Sequence, residues 1–213
     1  MTIAWIALVL VVAFGALAFG WRSWLQWRRT GSTGFRGLSG RAGSAAWWGG
    51  VLLIVAFALS LAAPIVVLTG ALDVWSLPRA VTVMGGGLFG AGIVATIAAQ
   101  LDMGDSWRIG VDARESTELV SSGLFRFSRN PIFTSMLSFL AGLALLLPNA
   151  VSALAFLTAL TGLELQVRLV EEPYLMSIHR EAYARYAARV GRFLPFIGRM
   201  DRADSVGSVG AAR

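Results

Sequence analysis

Apolar residues fill four long stretches of this chain, and polar residues gather between them. The first three stretches cover about residues 3–20, 46–69 and 77–101, and the fourth covers residues 131–170 with a break at Pro148 and Asn149. Crossing a membrane takes about 20 apolar residues in a helix, so the fourth stretch predicts two spans joined by a turn. The pattern predicts an all-α polytopic membrane protein with about five transmembrane helices, of which spans 4 and 5 form a helical hairpin.

The polar segments divide the chain into three regions. Residues 30–44 form a glycine-rich basic loop, and residues 102–130 carry five acids and four arginines. Loops as long as the second are usually functional or disordered. After residue 170 the chain becomes amphipathic, which predicts a cytoplasmic C-terminal helix against the membrane face. We therefore predict three N-terminal spans in 1–101, a catalytic region of loop, hairpin and C-terminal helix in 102–200, and a disordered tail in 201–213.

Composition supports a membrane protein and narrows its chemistry. Only 14% of the residues are charged, against about 25% in soluble domains. The net charge of +6 comes from arginines beside the spans, which favours contact with membrane lipids over nucleic acid. Absence of cysteine and a single histidine, His179, exclude thiolate chemistry and predict no metal site.

The arginines also predict an orientation. With five spans, only Arg79 of the 18 arginines falls on the side opposite the polar segments. Arginine gathers on the cytoplasmic side of membrane spans. The sequence therefore predicts a multi-pass protein of the cell membrane with its N-terminus outside and its active site on the cytoplasmic side.

The segment GGGLFGAG at residues 85–92 invites a nucleotide-loop interpretation. No strand precedes it and no charged residue accompanies it. We predict that Gly86 and Gly90 instead allow close packing between helices.

Candidate site residues lie at both open ends of the hairpin. SRNP, residues 128–131, begins it, and Glu171 and Glu172 follow its end. In the structural interpretation, Pro131 starts a helix and the acids are a solvated helix end. In the functional one, the two ends form a single site, whose free amides suit an anionic group.

An acidic residue inside span 5 extends the candidate site. Glu164 lies in the apolar run, where a carboxylate needs a partner, and Arg168 is four residues further on. Helical spacing places both on one stripe with Glu171 and Leu175. The stripe predicts a polar cavity, with a purely structural ion pair as the alternative.

Three segments then resemble a known family. LVSSGLFRFSRNPIF, RLVEEPYL and AYARYAARVGRFLP, starting at residues 119, 168 and 182, follow one another with the hairpin between the first two. In order and spacing they resemble the integral membrane methyltransferases that include isoprenylcysteine carboxyl methyltransferase and the phospholipid methyltransferases. The resemblance covers about residues 100–197. It implies methylation of a small lipophilic acceptor with S-adenosyl-L-methionine as cofactor, and an isoprenylcysteine-like carboxylate is the first candidate acceptor.

The resemblance also implies site residues. Glu171 would hold the amino group or ribose of the cofactor, while Arg129 and Arg168 would orient the acceptor; these three are the catalytic candidates. The cofactor surroundings map onto Thr117, Glu118, Leu119, Val120, Phe125, Asn130, Pro131, Ile132, Phe133, Glu171 and Glu172.

This chain departs from the family pattern at two positions. Asn130 replaces a histidine and cannot act as a titrating base, and Val167 stands where the family has an arginine, with Arg168 beside it.

Two other functions remain open from the sequence. One is a membrane reductase of the sterol-reductase type, which resembles this family in its hairpin and would use NADPH. The other is a small transporter or a non-catalytic scaffold, although no internal repeat is visible. Many alanines, glycines and arginines without lysine suggest a bacterial source with a GC-rich genome.

Overall fold

The computed structural model describes residues 1–109 and 118–200. The described residues form an all-helical protein, which confirms the predicted fold class. Its helices are α1 (Thr2–Gly15), α2 (Arg22–Thr30), α3 (Ala45–Leu68), α4 (Arg79–Asp102), α5 (Pro131–Leu146), α6 (Ala150–Gln166) and α7 (Glu172–Ala187). Two π-helical segments, Ala16–Trp21 and Val167–Glu171, join α1 to α2 and α6 to α7. The predicted disordered tail at 201–213 lies outside the described residues.

Within residues 1–109 and 118–200, four continuous helices are long and apolar enough to cross a membrane: Thr2–Thr30, Ala45–Leu68, Arg79–Asp102 and Ala150–Ala187. Predicted span 4 corresponds to the apolar helix α5, which has only 16 residues. At 1.5 Å per residue it is about 24 Å long, less than the roughly 30 Å of a bilayer core. The count of five spans therefore stays a prediction.

The turn between α5 and α6 confirms the helical hairpin, and its polar residues explain why the chain turns there. Asn149 caps α6: its Oδ1 accepts hydrogen bonds from the backbone amides of Val151 and Ser152 at 2.9 and 3.0 Å. In return, Ser152 Oγ accepts from the Asn149 amide at 3.2 Å. This reciprocal cap satisfies amide groups that an apolar environment would leave unpaired.

Helices α1, α4 and α5 meet in a stack of aromatic rings. The ring of Phe139 on α5 stacks between Phe14 on α1 and Phe89 on α4, with centroid distances of 4.5 and 4.8 Å. These rings fix which face α4 presents to α5. They therefore also fix which glycines lie in the interface.

The glycines at the contact between α4 and α5 differ from the predicted pair. A Cβ added at Gly92 would lie 2.4 Å from Phe139 N, and one at Gly85 would lie 2.7 Å from Leu145 Cβ. At Gly90 a Cβ would meet nothing within 4 Å, and at Gly86 only Leu146 Cδ1 at 3.8 Å. The prediction of close packing was correct for the segment but wrong for Gly90, which points away from the partner helix.

Gly92→Ala is expected to destabilise the protein by about 1–3 kcal/mol, because the new methyl group would force the backbones of α4 and α5 apart. Gly90→Ala is the matched control on the same helix, and we expect it to lose no stability. Thermal unfolding in detergent micelles measures both. Equal melting temperatures for the two variants would contradict the observed packing.

Candidate functional site

The hairpin brings the segment before α5 against the segment after α7. The backbone amides of Arg129 and Asn130 donate to the carbonyls of Gly191 and Arg192 at 2.9 and 3.2 Å. The Asn130 side chain donates from Nδ2 to the same Arg192 carbonyl at 3.0 Å. Two stretches about sixty residues apart in sequence are thereby fixed side by side at one end of the bundle, called here the site end, where α5 begins and α6 finishes.

Arg129 is buried at the centre of this junction. Its Nη1 donates to the carbonyls of Ala187 and Val190 at 3.1 and 2.7 Å. Its Nη2 donates to the carbonyl of Gly198 at 3.1 Å and to the carboxylate of Glu172. Because both terminal nitrogens bind protein groups, a contact between either of them and an acceptor would require one of these bonds to break, whereas the buried Nε has no hydrogen-bond partner among the described residues. Arg129 also lines the cavity described next.

Glu172 joins Arg129 to a second arginine. Glu172 is buried, and its two carboxylate oxygens accept from Nε and Nη2 of Arg192, both at 2.9 Å. These hydrogen bonds raise the pKa of Arg192, so the arginine remains charged beside the carboxylate. The result is a buried triad of two arginines and one glutamate that ties α7 to the segments on either side of it.

A cavity of about 680 Å³ lies beside this triad, at the site end of the bundle. Aromatic and aliphatic side chains form most of its wall. Among them are Phe14 on α1, Phe57 on α3, Phe139 on α5, Leu163 on α6 and, in the π-helical segment after α1, Phe19. Polar residues on the wall include Ser39, Gln100, Arg108, Glu118, Asn130 and Glu171. Its volume falls in the range of about 300–1,000 Å³ that is usual for sites binding small molecules.

Most of the predicted cofactor residues line this one cavity, namely Glu118, Leu119, Val120, Phe125, Asn130, Pro131, Ile132, Phe133 and Glu171. Thr117 lies outside the described residues. Glu172 is not among the described lining residues, since its carboxylate is engaged in the triad. The hairpin thus brings the two predicted segments together, with Glu171 as the member of the acidic pair that faces the cavity.

Arg168 and Glu164 lie elsewhere. They form an ion pair with each other, and the Arg168 side chain is 56% exposed. Neither belongs to the described lining of the cavity. The π-helical segment Val167–Glu171 explains the separation: its extra residue rotates the following helix by about 100°, so the predicted stripe is interrupted before Glu171. This placement fits the structural ion pair weighed as the alternative.

A glycine fixes the segment that carries Phe125. Gly123 has a φ of 56°, and a Cβ there would lie 2.2 Å from Asp102 Oδ2. The same oxygen accepts a hydrogen bond from the Leu124 amide at 2.8 Å. The end of α4 therefore holds Phe125 at the cavity wall, in a conformation that favours glycine at residue 123.

Several lining residues lie outside the segments singled out from the sequence. The loop before α3 contributes Phe35 and Ser39, and the end of α4 contributes Gln100. A further wall residue is Gln166 at the end of α6. The sequence signal for the two glutamines was a lone amide inside each apolar run, where polar side chains are costly and tend to be functional.

The comparisons with known proteins match a part of the chain that includes much of the site. A family model described as phospholipid methyltransferase matches residues 80–182, which include α4, α5, α6 and the segment before α5. The chain is also 29% identical over 89 residues to protein-S-isoprenylcysteine O-methyltransferase B of Arabidopsis thaliana. That match covers 42% of this chain and 45% of the relative, so the chain spans just under half of the relative's length.

Proposed function

Because the chain belongs to the phospholipid methyltransferase family of membrane proteins, we propose that it is a multi-pass enzyme that transfers a methyl group from S-adenosylmethionine to a small lipophilic acceptor. One observation carries the proposal. A single cavity is lined both by the predicted cofactor segments and by apolar side chains from several of the helices. A polar cofactor and a lipophilic acceptor would thus bind in the same cavity.

The residues at the polar part of the cavity fit the charges of this cofactor. Glu118 and Glu171 supply carboxylates for its amino group or ribose hydroxyls, and Arg108 supplies a positive charge for its carboxylate. The first-turn amides of α5, at Ile132 and Phe133, have no carbonyl to bind within the helix and would serve the same anionic group. Phe125 gives an apolar surface for the adenine ring.

For this reaction the protein must chiefly align the cofactor with the acceptor and exclude water from the site. When bound, S-adenosylmethionine supplies an electrophilic methyl group on a positively charged sulfur. The apolar wall excludes water, and the buried triad of Arg129, Glu172 and Arg192 holds the segments around the cavity in register. A carboxylate acceptor needs no general base, which suits a site whose Asn130 donates to a backbone carbonyl. We therefore assign Asn130 and Arg129 to positioning, and Glu171 to cofactor contact.

The relative supports a first choice of acceptor class. A protein named as an isoprenylcysteine O-methyltransferase shares part of this sequence, and an isoprenyl chain would suit the apolar wall. We propose O-methylation of an isoprenylcysteine-like carboxylate as the first activity to test. Following the arginine distribution, the site end would face the cytoplasm.

Methyl transfer by the purified protein tests the proposal. We expect labelled methyl groups to pass from S-adenosylmethionine to one member of a set of lipophilic acids, amines and thiols. In calorimetric titrations, S-adenosylhomocysteine is expected to bind and NADPH not to bind. Binding of NADPH alone would support the reductase interpretation instead, and substrate flux in liposomes without cofactor binding would support a transporter.

A further inference from the structure

Two buried glutamines on different helices face the cavity with unused acceptor atoms. Gln100 on α4 is 2% exposed and Gln166 on α6 is 6% exposed. Both line the cavity. The side-chain oxygen Oε1 of each is buried and has no hydrogen-bond partner among the described protein groups.

The orientation of the Gln100 amide is fixed by its other end. Gln100 Nε2 donates to the carbonyl of Ala18 at 3.0 Å. This bond directs Nε2 towards Ala18, and Oε1 is the atom that remains available. Gln100 is thus held as a hydrogen-bond acceptor rather than as a donor.

The surroundings make an unpaired acceptor costly. Phe14, Phe19 and Leu163 belong to the same wall, and an amide oxygen in such a setting loses its hydration without compensation unless a donor reaches it. A ligand N–H or O–H would supply that donor. A carboxylate would not, because it offers only further acceptor oxygens.

We propose that the cavity selects a lipophilic ligand that carries neutral hydrogen-bond donors, amide N–H or hydroxyl groups, and that such a donor binds Gln166 Oε1, with Gln100 Oε1 as a second acceptor on the same cavity wall. The inference rests on the proposed function, under which this ligand is the methyl acceptor. The donor is neutral because two uncharged amide oxygens would not offset the desolvation of a cation, which the carboxylates of Glu118 and Glu171 would bind instead.

Two farnesyl thioether propionic acids that differ only in a 2-acetamido group test the proposal. The wild-type protein is expected to bind the acetamido acid about 5- to 20-fold more tightly than the plain acid, as one or two hydrogen bonds allow. Gln166→Leu is expected to remove most of that preference. It should leave the affinity for S-adenosylhomocysteine and the melting temperature unchanged, since an apolar side chain replaces an unpaired acceptor.

Ser60→Ala is the matched control. Ser60 is also buried on the cavity wall, but its hydroxyl already donates to the Phe57 carbonyl at 2.7 Å. We expect this variant to keep the wild-type preference between the two acids.

The outcomes separate this inference from the proposed function. Equal binding of the two acids by the wild-type protein, binding of neither, or a preference that survives Gln166→Leu would overturn the inference. A loss of S-adenosylhomocysteine affinity in Gln166→Leu would also overturn it, because the glutamine would then serve the cofactor. If the preference depends on Gln166 but no methyl group is transferred, the inference stands and the methyltransferase proposal fails.

Discussion

Arg129→Ala is expected to lower the free energy of unfolding by about 3–5 kcal/mol and to abolish methyl transfer. The Arg129 and Glu172 side chains are 1% and 7% exposed. Removing the arginine therefore takes one of its two positively charged partners from the buried Glu172 carboxylate. The carbonyls of Ala187, Val190 and Gly198 lose their hydrogen bonds from Arg129 at the same time. The segment after α7 should therefore detach from the start of α5, and with it the cavity wall.

Arg126→Ala provides the control for this prediction. Arg126 belongs to the same short segment, but its guanidinium lies over the ring of the exposed Phe127, 4.8 Å from the ring centroid. An exposed cation–π contact contributes about 0.5–1 kcal/mol, so this variant should unfold close to the wild-type temperature. Thermal unfolding in micelles and limited proteolysis after α7 measure both variants.

A different result would support the role in acceptor binding that the sequence predicted for Arg129. If Arg129→Ala unfolds at the wild-type temperature and loses affinity only for the acceptor, the guanidinium contacts the ligand rather than supporting the fold. Arg129→Lys sharpens the distinction: lysine keeps the charge but cannot reach four acceptors from a planar group. We expect it to remain unstable.

Both the hairpin and the meeting of its two ends could be predicted from the sequence, because they depend on apolar length and on a turn signal at Pro148 and Asn149. The sequence could not predict which of the two glutamates pairs with Arg129. Neighbouring residues on a helix point about 100° apart, so one of Glu171 and Glu172 must face the triad and the other must not. The choice depends on helix phase, which the π-helical segment resets without a visible signal.

The roles of the α4 glycines and of the cavity glutamines also depend on how the helices are rotated relative to one another. A glycine-rich stretch predicts close approach, but the stacking of Phe89 on Phe139 decides which glycines enter the interface. Likewise, Gln100 and Gln166 stand out only after α4 and α6 are seen to end at the same cavity. In both cases the missing information was the relative rotation of helices that are distant in sequence.

Glu171→Gln is expected to weaken binding of S-adenosylhomocysteine by about 10- to 100-fold, the loss that follows when a charge-assisted hydrogen bond becomes a neutral one. Glu171 is the last residue of the π-helical segment and lines the cavity together with Glu118. Because its neighbour Glu172 carries the triad, the fold does not depend on the Glu171 charge. The variant should therefore unfold at about the wild-type temperature.

Glu164→Gln tests whether the effect is specific to the cavity. Glu164 lies on the same helical segment and pairs with the exposed Arg168 outside the cavity lining, so its loss is expected to change cofactor affinity less than twofold and to cost the roughly 0.5 kcal/mol of a surface ion pair. Calorimetric titration of both variants at the same pH compares them directly. Equal effects at residues 164 and 171 would mean that net charge near the site, rather than contact by Glu171, governs cofactor binding. A loss confined to Glu171→Gln would instead make this carboxylate the contact that the π-helical segment turns into the cavity.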